Sequence, residues 1–186
     1  SRDSKFNRFN ILAPWAMGIF LTVPLLFFPE IGSLIFGESY EKQTFSITFI
    51  FILLFSAILM FKQGLGRIMI VHDLQWYSFG SNLLWAIILL VAFYFFKDKN
   101  SISLAISYFI AYLISTLIII PVYFRKKIIP KHTFESKEGI LIWILFAGFS
   151  LVYFIVDNYT LRFFIMLLGL YILFKLFKSL FIRKVK

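Results

Sequence analysis

The sequence contains no cysteine. Disulfides, thiolate nucleophiles and cysteine-ligated metals are therefore outside its chemistry. Histidine is nearly as scarce: the two, His72 and His132, fall in different loops. His72 stands beside Asp73 without further ligands nearby in sequence, which reads as a structural loop and not a metal site. Acidic residues number only 9 of 186. Glu30, Asp73 and Asp157 lie at the ends of long apolar segments, never paired inside one, so no proton relay or hydrolytic pair is placed there. The glycine-rich phosphate loop GxxxxGK[ST], the GxSxG elbow and the HExxH helix are absent. These lacks argue against an enzyme, and neither a metal nor a cofactor is expected.

What the sequence has in abundance is apolar length. Hydrophobic residues make up 61% of the chain, and the mean hydropathy is +0.89. Soluble domains are usually about 45–50% apolar. The stretch IGSLIFGESYEK, residues 31–42, separates two apolar runs, 11–28 and 44–61. Each run would be about 27 Å long as a helix, at about 1.5 Å per residue. That approaches the roughly 30 Å hydrocarbon layer of a bilayer. Pro29, Gly32 and Gly37, followed by Glu38, Glu41 and Lys42, mark residues 31–42 as a turn at a membrane surface. The 26 phenylalanines are expected chiefly at lipid-facing positions.

The same reasoning along the chain predicts an all-α, polytopic membrane helix bundle. Its six transmembrane helices fall near residues 11–28, 44–61 or on to 70, 79–96, 102–124, 140–156 and 161–177. The last has an uncharged core of only 12 residues, 163–174. It crosses if Arg162 reaches one interface and Lys175 and Lys178 snorkel to the other. Residues 1–10, rich in alternating basic and aromatic residues, suit a membrane surface and lack the apolar core of a signal peptide. Six spans place both termini on one side. That side carries 15 of the 19 Lys and Arg; the other carries Lys42, Lys97, Lys99 and Arg162. Cytoplasmic loops retain Lys and Arg, so both termini are expected in the cytoplasm, with the protein in the cytoplasmic (inner) membrane. The basic loops are read as cytoplasmic anchors against membrane lipids, not as a nucleic-acid surface.

Two constellations stand out. Lys62 and Arg67 are the only cations between residues 43 and 96. Gln63 and Arg67 are four apart and share a helix face, with Lys62 beside it. Gly64 and Gly66 leave room for close approach, and Asn82 opens the next span. Lys62, Gln63, Arg67 and Asn82 are therefore candidate substrate-binding residues, a cationic vestibule for an anionic head group. Interfacial snorkelling is the other reading. In the fourth span, Ser103, Ser107, Ala111 and Ser115 recur every four residues. Such a small-residue stripe is expected to pack against a helix, with a polar substrate track as the alternative.

The order of these features resembles the C-terminal part of polysaccharide flippases of the multidrug/oligosaccharidyl-lipid/polysaccharide exporter superfamily. The similarity lies in a proline-bearing span, the turn Leu34-Ile35-Phe36-Gly37-Glu38-Ser39-Tyr40, and a span ending in Gly64, Gly66 and a basic residue. It continues in a span opening Ser81-Asn82-Leu83 and in the Ala/Ser-bearing segment 104–115. The matching order covers residues 1 to about 125; the last two spans match only as hydrophobic hairpins. The resemblance implies a transporter that flips lipid-linked oligosaccharide or polysaccharide precursors by alternating access, with no covalent step. This chain would supply the last spans of a larger protein, and its partners would be the lipid-linked oligosaccharide and a missing N-terminal helical bundle. The alternative is a non-transporting membrane scaffold or accessory subunit of a cell-envelope assembly complex.

Overall fold

The computed structural model describes residues 2–36, 42–97, 101–131 and 133–185. Every regular element among them is helical: α1 (Arg2–Phe27), α2 (Glu30–Phe36), α3 (Lys42–Val71), α4 (Gln75–Phe96), α5 (Ser101–Arg125), α6 (Lys137–Ile155) and α7 (Tyr159–Val185). All but α2 are long and apolar enough to cross a membrane. The fold is thus an all-α polytopic helix bundle. His132 and residues 37–41, including Gly37, Glu38 and Glu41 of the expected turn, lie outside the described residues.

Several boundaries differ from expectation, each for a physical reason. Residues 2–10, expected at a surface, continue α1 as helix. Gly32 does not break the chain but sits inside α2, where a Cβ would meet the rings of Phe45 and Phe49 at 2.9 Å. It lets this short helix lie closely on α3. The actual break is at Phe28-Pro29, between α1 and α2, because Pro29 cannot donate the next helical bond. Helix α3 takes the longer of the two readings and runs 30 residues, about 45 Å. Helix α7 holds an apolar crossing stretch of 22 residues, Tyr159–Leu180, longer than its uncharged core because its cations lie within the helix.

Helices α1 and α3 form the spine. Helix α1 packs most extensively on α3, and also on α6 and α7; α3 packs in turn on α5, and α5 on α4. Trp15, 2% exposed, is the centre of the spine. Its ring meets Trp143 edge-on at 4.7 Å and lies 5.1 Å from Phe61. Pro14 in α1 has no N–H to offer the carbonyl of Asn10, four residues back. Gly64 of α3 closes on that carbonyl, and a Cβ there would collide with it. A Cα–H contact to the freed carbonyl is a weak substitute for the missing bond, and only glycine permits the approach.

Two ion pairs tie α1 and α2 to the C-terminal hairpin. Arg8 Nη2 donates to Glu138 Oε2 at 2.6 Å, near the starts of α1 and α6. Glu30, at the end of the first apolar segment, pairs with Arg162 at 3.4 Å near the opposite ends of α1 and α6. Arg162, expected to reach an interface, is 5% exposed. It donates to the Val156 carbonyl and, at 3.2 Å, to the Tyr153 carbonyl, so it caps the end of α6. The rings of Tyr153 and Tyr159 flank its guanidinium at 4.9 and 5.3 Å.

Helices α3 and α5 both end in a left-handed residue, Asp73 at φ 56° and Lys127 at φ 59°. Leu74 N–H returns to the Met69 carbonyl and Ile128 N–H to the Tyr123 carbonyl. Each is a Schellman cap, closing the helix sharply at the end of the bundle that carries the basic loops. Helix α4 presents Leu83, Ile87, Leu90, Phe93, Tyr94 and Phe95 outward, a surface suited to lipid.

Candidate functional site

The basic-end halves of α3, α4 and α5 enclose a cleft of about 470 Å³. Helix α3 contributes Leu59, Lys62, Leu65 and Met69, roughly one face of its last turns. Helix α4 contributes Ser81, Asn82 and Trp85 from its first turns, and α5 contributes Tyr112, Thr116 and Tyr123 from its last. Lys62 lies about 30 Å along α3 from Lys42, 20 residues at about 1.5 Å each. It therefore stands near the hydrocarbon boundary if α3 enters the membrane at its start.

Of the residues singled out in the sequence, the structure brings Lys62, Gln63 and Asn82 to this cleft. Arg67 is exposed and does not line it. At about 100° per residue, Arg67 is turned about 140° from Lys62 around α3, away from the face formed by Lys62, Leu65 and Met69. Gly64 serves helix contact, whereas a Cβ on Gly66 would meet nothing within 4 Å. Ser103, Ser107, Ala111 and Ser115 are all at most 1% exposed, in the helix that packs on both α3 and α4. Ser103 Oγ donates across to the Phe96 carbonyl at the end of α4, at 2.5 Å. Ser107 Oγ bonds back to the Ser103 carbonyl.

Sequence reasoning missed the α5 wall of the cleft. Tyr112, Thr116, Ile119 and Tyr123 form the row next to the small-residue stripe. A polar Thr116 within the apolar run LISTLIII was the available signal. Tyr112 is the hub of this wall. Lys62 Nζ sits 5.4 Å over its ring, Phe55 stacks on it at 5.7 Å and 10°, and Trp85 lies 5.2 Å away. A half-buried ammonium over an aromatic face is held by the ring quadrupole, which leaves its N–H groups available to a ligand.

Among the described residues, the cleft wall carries Lys62 as its one cation and no carboxylate. Residues of the wall also hold polar atoms without partners that are closed off from the open cleft. Trp85 Nε1 and Thr116 Oγ1 are shielded from solvent and make no hydrogen bond. Ser81 Oγ lies against the Tyr123 hydroxyl but forms no bond of acceptable geometry with it. The Tyr123 hydroxyl donates instead, at a long 3.5 Å, to the Tyr77 carbonyl. Among the described residues, no group of three or more His, Asp or Glu is placed to hold a metal ion. The arrangement can bind a polar, anionic group.

The architecture and this cleft together define a multi-pass membrane helix bundle with a polar cleft between three of its spans. Comparison with protein-family models, with curated proteins and with solved structures finds no significant match.

Proposed function

We propose that this chain is part of a membrane transporter that flips lipid-linked oligosaccharide or polysaccharide precursors across the cytoplasmic membrane by alternating access. The cleft of α3, α4 and α5 receives the anionic head group from the cytoplasmic side, while the lipid tail stays in the bilayer. No covalent step takes part. The observation that carries this reading is the convergence of Lys62 with the exposed amides of Gln63 and Asn82 on a cleft whose described lining has no carboxylate. The hydrocarbon core rejects a hydrated anion. A cleft that replaces its water with one cation and several neutral donors lowers that barrier, yet holds the group weakly enough for release. The 15-to-4 distribution of Lys and Arg supports a cytoplasmic placement of the cleft end.

The test is export of surface polysaccharide by cells carrying Lys62→Gln or Arg67→Gln, with membrane abundance of the protein matched. Loss of a charged hydrogen-bond partner costs about 1.5–3 kcal/mol, so Lys62→Gln should cut export about tenfold or more. Arg67→Gln, away from the cleft, should export normally. Normal export by Lys62→Gln would overturn the reading.

A further inference from the structure

We infer that helix α2 is a lipid-facing anchor: its outward face, Ile31, Leu34 and Ile35, lies among the acyl chains of the leaflet away from the basic loops. The partner is the hydrocarbon edge of that leaflet, not its head groups. This goes beyond the transport reading and does not depend on it.

The first support is the sense of the helix's polarity. Ile31, Leu34 and Ile35 recur at i, i+3 and i+4, so they share one face. All three are exposed, Leu34 at 78% and Ile35 at 69%. The two polar side chains of α2 are engaged within the protein. Glu30 Oε1 accepts from Arg162 at 3.4 Å, toward the α6–α7 hairpin. Ser33 Oγ donates to the Glu30 carbonyl at 2.7 Å. Gly32 is buried on the rings of Phe45 and Phe49. A helix on a water-facing surface turns its polar side outward and its apolar side to the core. Helix α2 shows the reverse. In water its aliphatic face would cost about 25 cal/mol per Å² of apolar surface left wet, a cost that hydrocarbon removes.

The second support is level. The crossing stretch of α1, Arg8–Phe27, has 20 residues, about 30 Å of helix. That equals the roughly 30 Å hydrocarbon layer, so α2 starts at its boundary. It does not rise from there into water. The rings that Gly32 meets, Phe45 and Phe49, belong to the first two turns of α3. Helix α3 enters from the same side, and its crossing stretch opens at Gln43. Helix α2 therefore lies at the depth of those turns, just inside the boundary. An interfacial helix buries its apolar face about 5–10 Å into that zone. The sequence of α2, EIGSLIF, has no Lys or Arg, so head-group charge does not hold it there.

The chain has no cysteine, so Ile31→Cys, Ser33→Cys, Leu34→Cys and Ile35→Cys each supply a single thiol for a nitroxide spin label. The full chain is reconstituted in phosphatidylcholine vesicles. Collision with oxygen, which concentrates in hydrocarbon, is compared with collision with a water-soluble nickel chelate. Leu90→Cys on the outward face of α4 is the lipid reference, and Asp157→Cys between α6 and α7 is the aqueous one; both positions are exposed. Labels at residues 31, 34 and 35 should favour oxygen severalfold over nickel, as at residue 90, with less oxygen collision at residue 33. Adding phosphatidylglycerol should leave these ratios unchanged. A nickel preference at residues 34 and 35 equal to that at residue 157 overturns the proposal, because the face then meets water. Little collision with either agent also overturns it, because protein, such as a second copy, then covers the face. An oxygen preference that appears only with phosphatidylglycerol overturns the acyl-chain partner in favour of head groups. In the cell's own membrane, p-benzoylphenylalanine is placed at residue 34 and irradiated. No protein adduct is expected, and a reproducible one overturns the lipid assignment.

Discussion

Arg162 shows how much one side chain joins in this protein. It is 5% exposed, caps the carbonyls of Tyr153 and Val156, pairs with Glu30 and lies between two tyrosine rings. Removing it strands two carbonyls at the end of α6. Arg162→Met should therefore cost about 2 kcal/mol, the scale of hydrogen bonds to a charged group, read as a lower thermal midpoint in detergent. Glu30→Gln should cost under about 1 kcal/mol, because the Glu30 carboxylate is 38% exposed and 3.4 Å from its partner. An equal loss in both variants would mean that the ion pair, not the cap, is the stabilising contact. Nothing in the sequence announces this cluster. Its partners are 132 residues apart, and pairing across helices leaves no local pattern. Lys62, Gln63 and Asn82 were legible because polar residues in apolar runs are conspicuous, and helical spacing put them near one another. Arg67 misled for the same reason: it shares a face with Gln63, but the cleft follows the Lys62 face.

At the scale of elements, helix identity was readable and helix contact only in part: the stripe Ser103, Ser107, Ala111 and Ser115 is buried, in the helix that packs on α3 and α4. Long apolar runs have no alternative to helix in a bilayer, because every backbone group must be satisfied within its own segment. That argument gives the spans but is silent on which glycine meets a neighbour. Gly64 and Gly66 look alike in sequence, two residues apart at the end of one span. In the fold, Gly64 touches the backbone of α1 at Asn10 and Ile11, while Gly66 faces open space. Gly64→Ala should push α3 off α1 and destabilise by about 1–3 kcal/mol, the usual cost of overpacking. Gly66→Ala should leave stability unchanged or raise it by about 0.5–1 kcal/mol, since alanine favours helix. Thermal unfolding in detergent separates them. Equal effects would contradict the contact of Gly64 with the Asn10 carbonyl that joins the spine.

For the whole molecule, the order of packing places the cleft at one end of three spans; α1 packs on α3 beside it, and Arg8–Glu138 and Glu30–Arg162 fasten the α6–α7 hairpin to α1 and α2. The helices alone do not say which end faces the cytoplasm; that rests on the charge asymmetry. Reporter fusions after residues 40, 75, 99, 131, 158 and 186 should show periplasmic activity only at 40, 99 and 158, and activity at 186 would remove α7 as a span. Orientation and cleft chemistry meet in one measurement. The chain has no cysteine, so Asn82→Cys, exposed at the cleft wall, is its single thiol. It is labelled in inside-out vesicles and in whole cells with membrane-impermeant methanethiosulfonates of equal size, one anionic and one cationic. Labelling is expected from the cytoplasmic face, faster with the anionic reagent, with that preference lost when Lys62→Gln is added. Labelling from the outside alone, or a cationic preference with Lys62 in place, would contradict it.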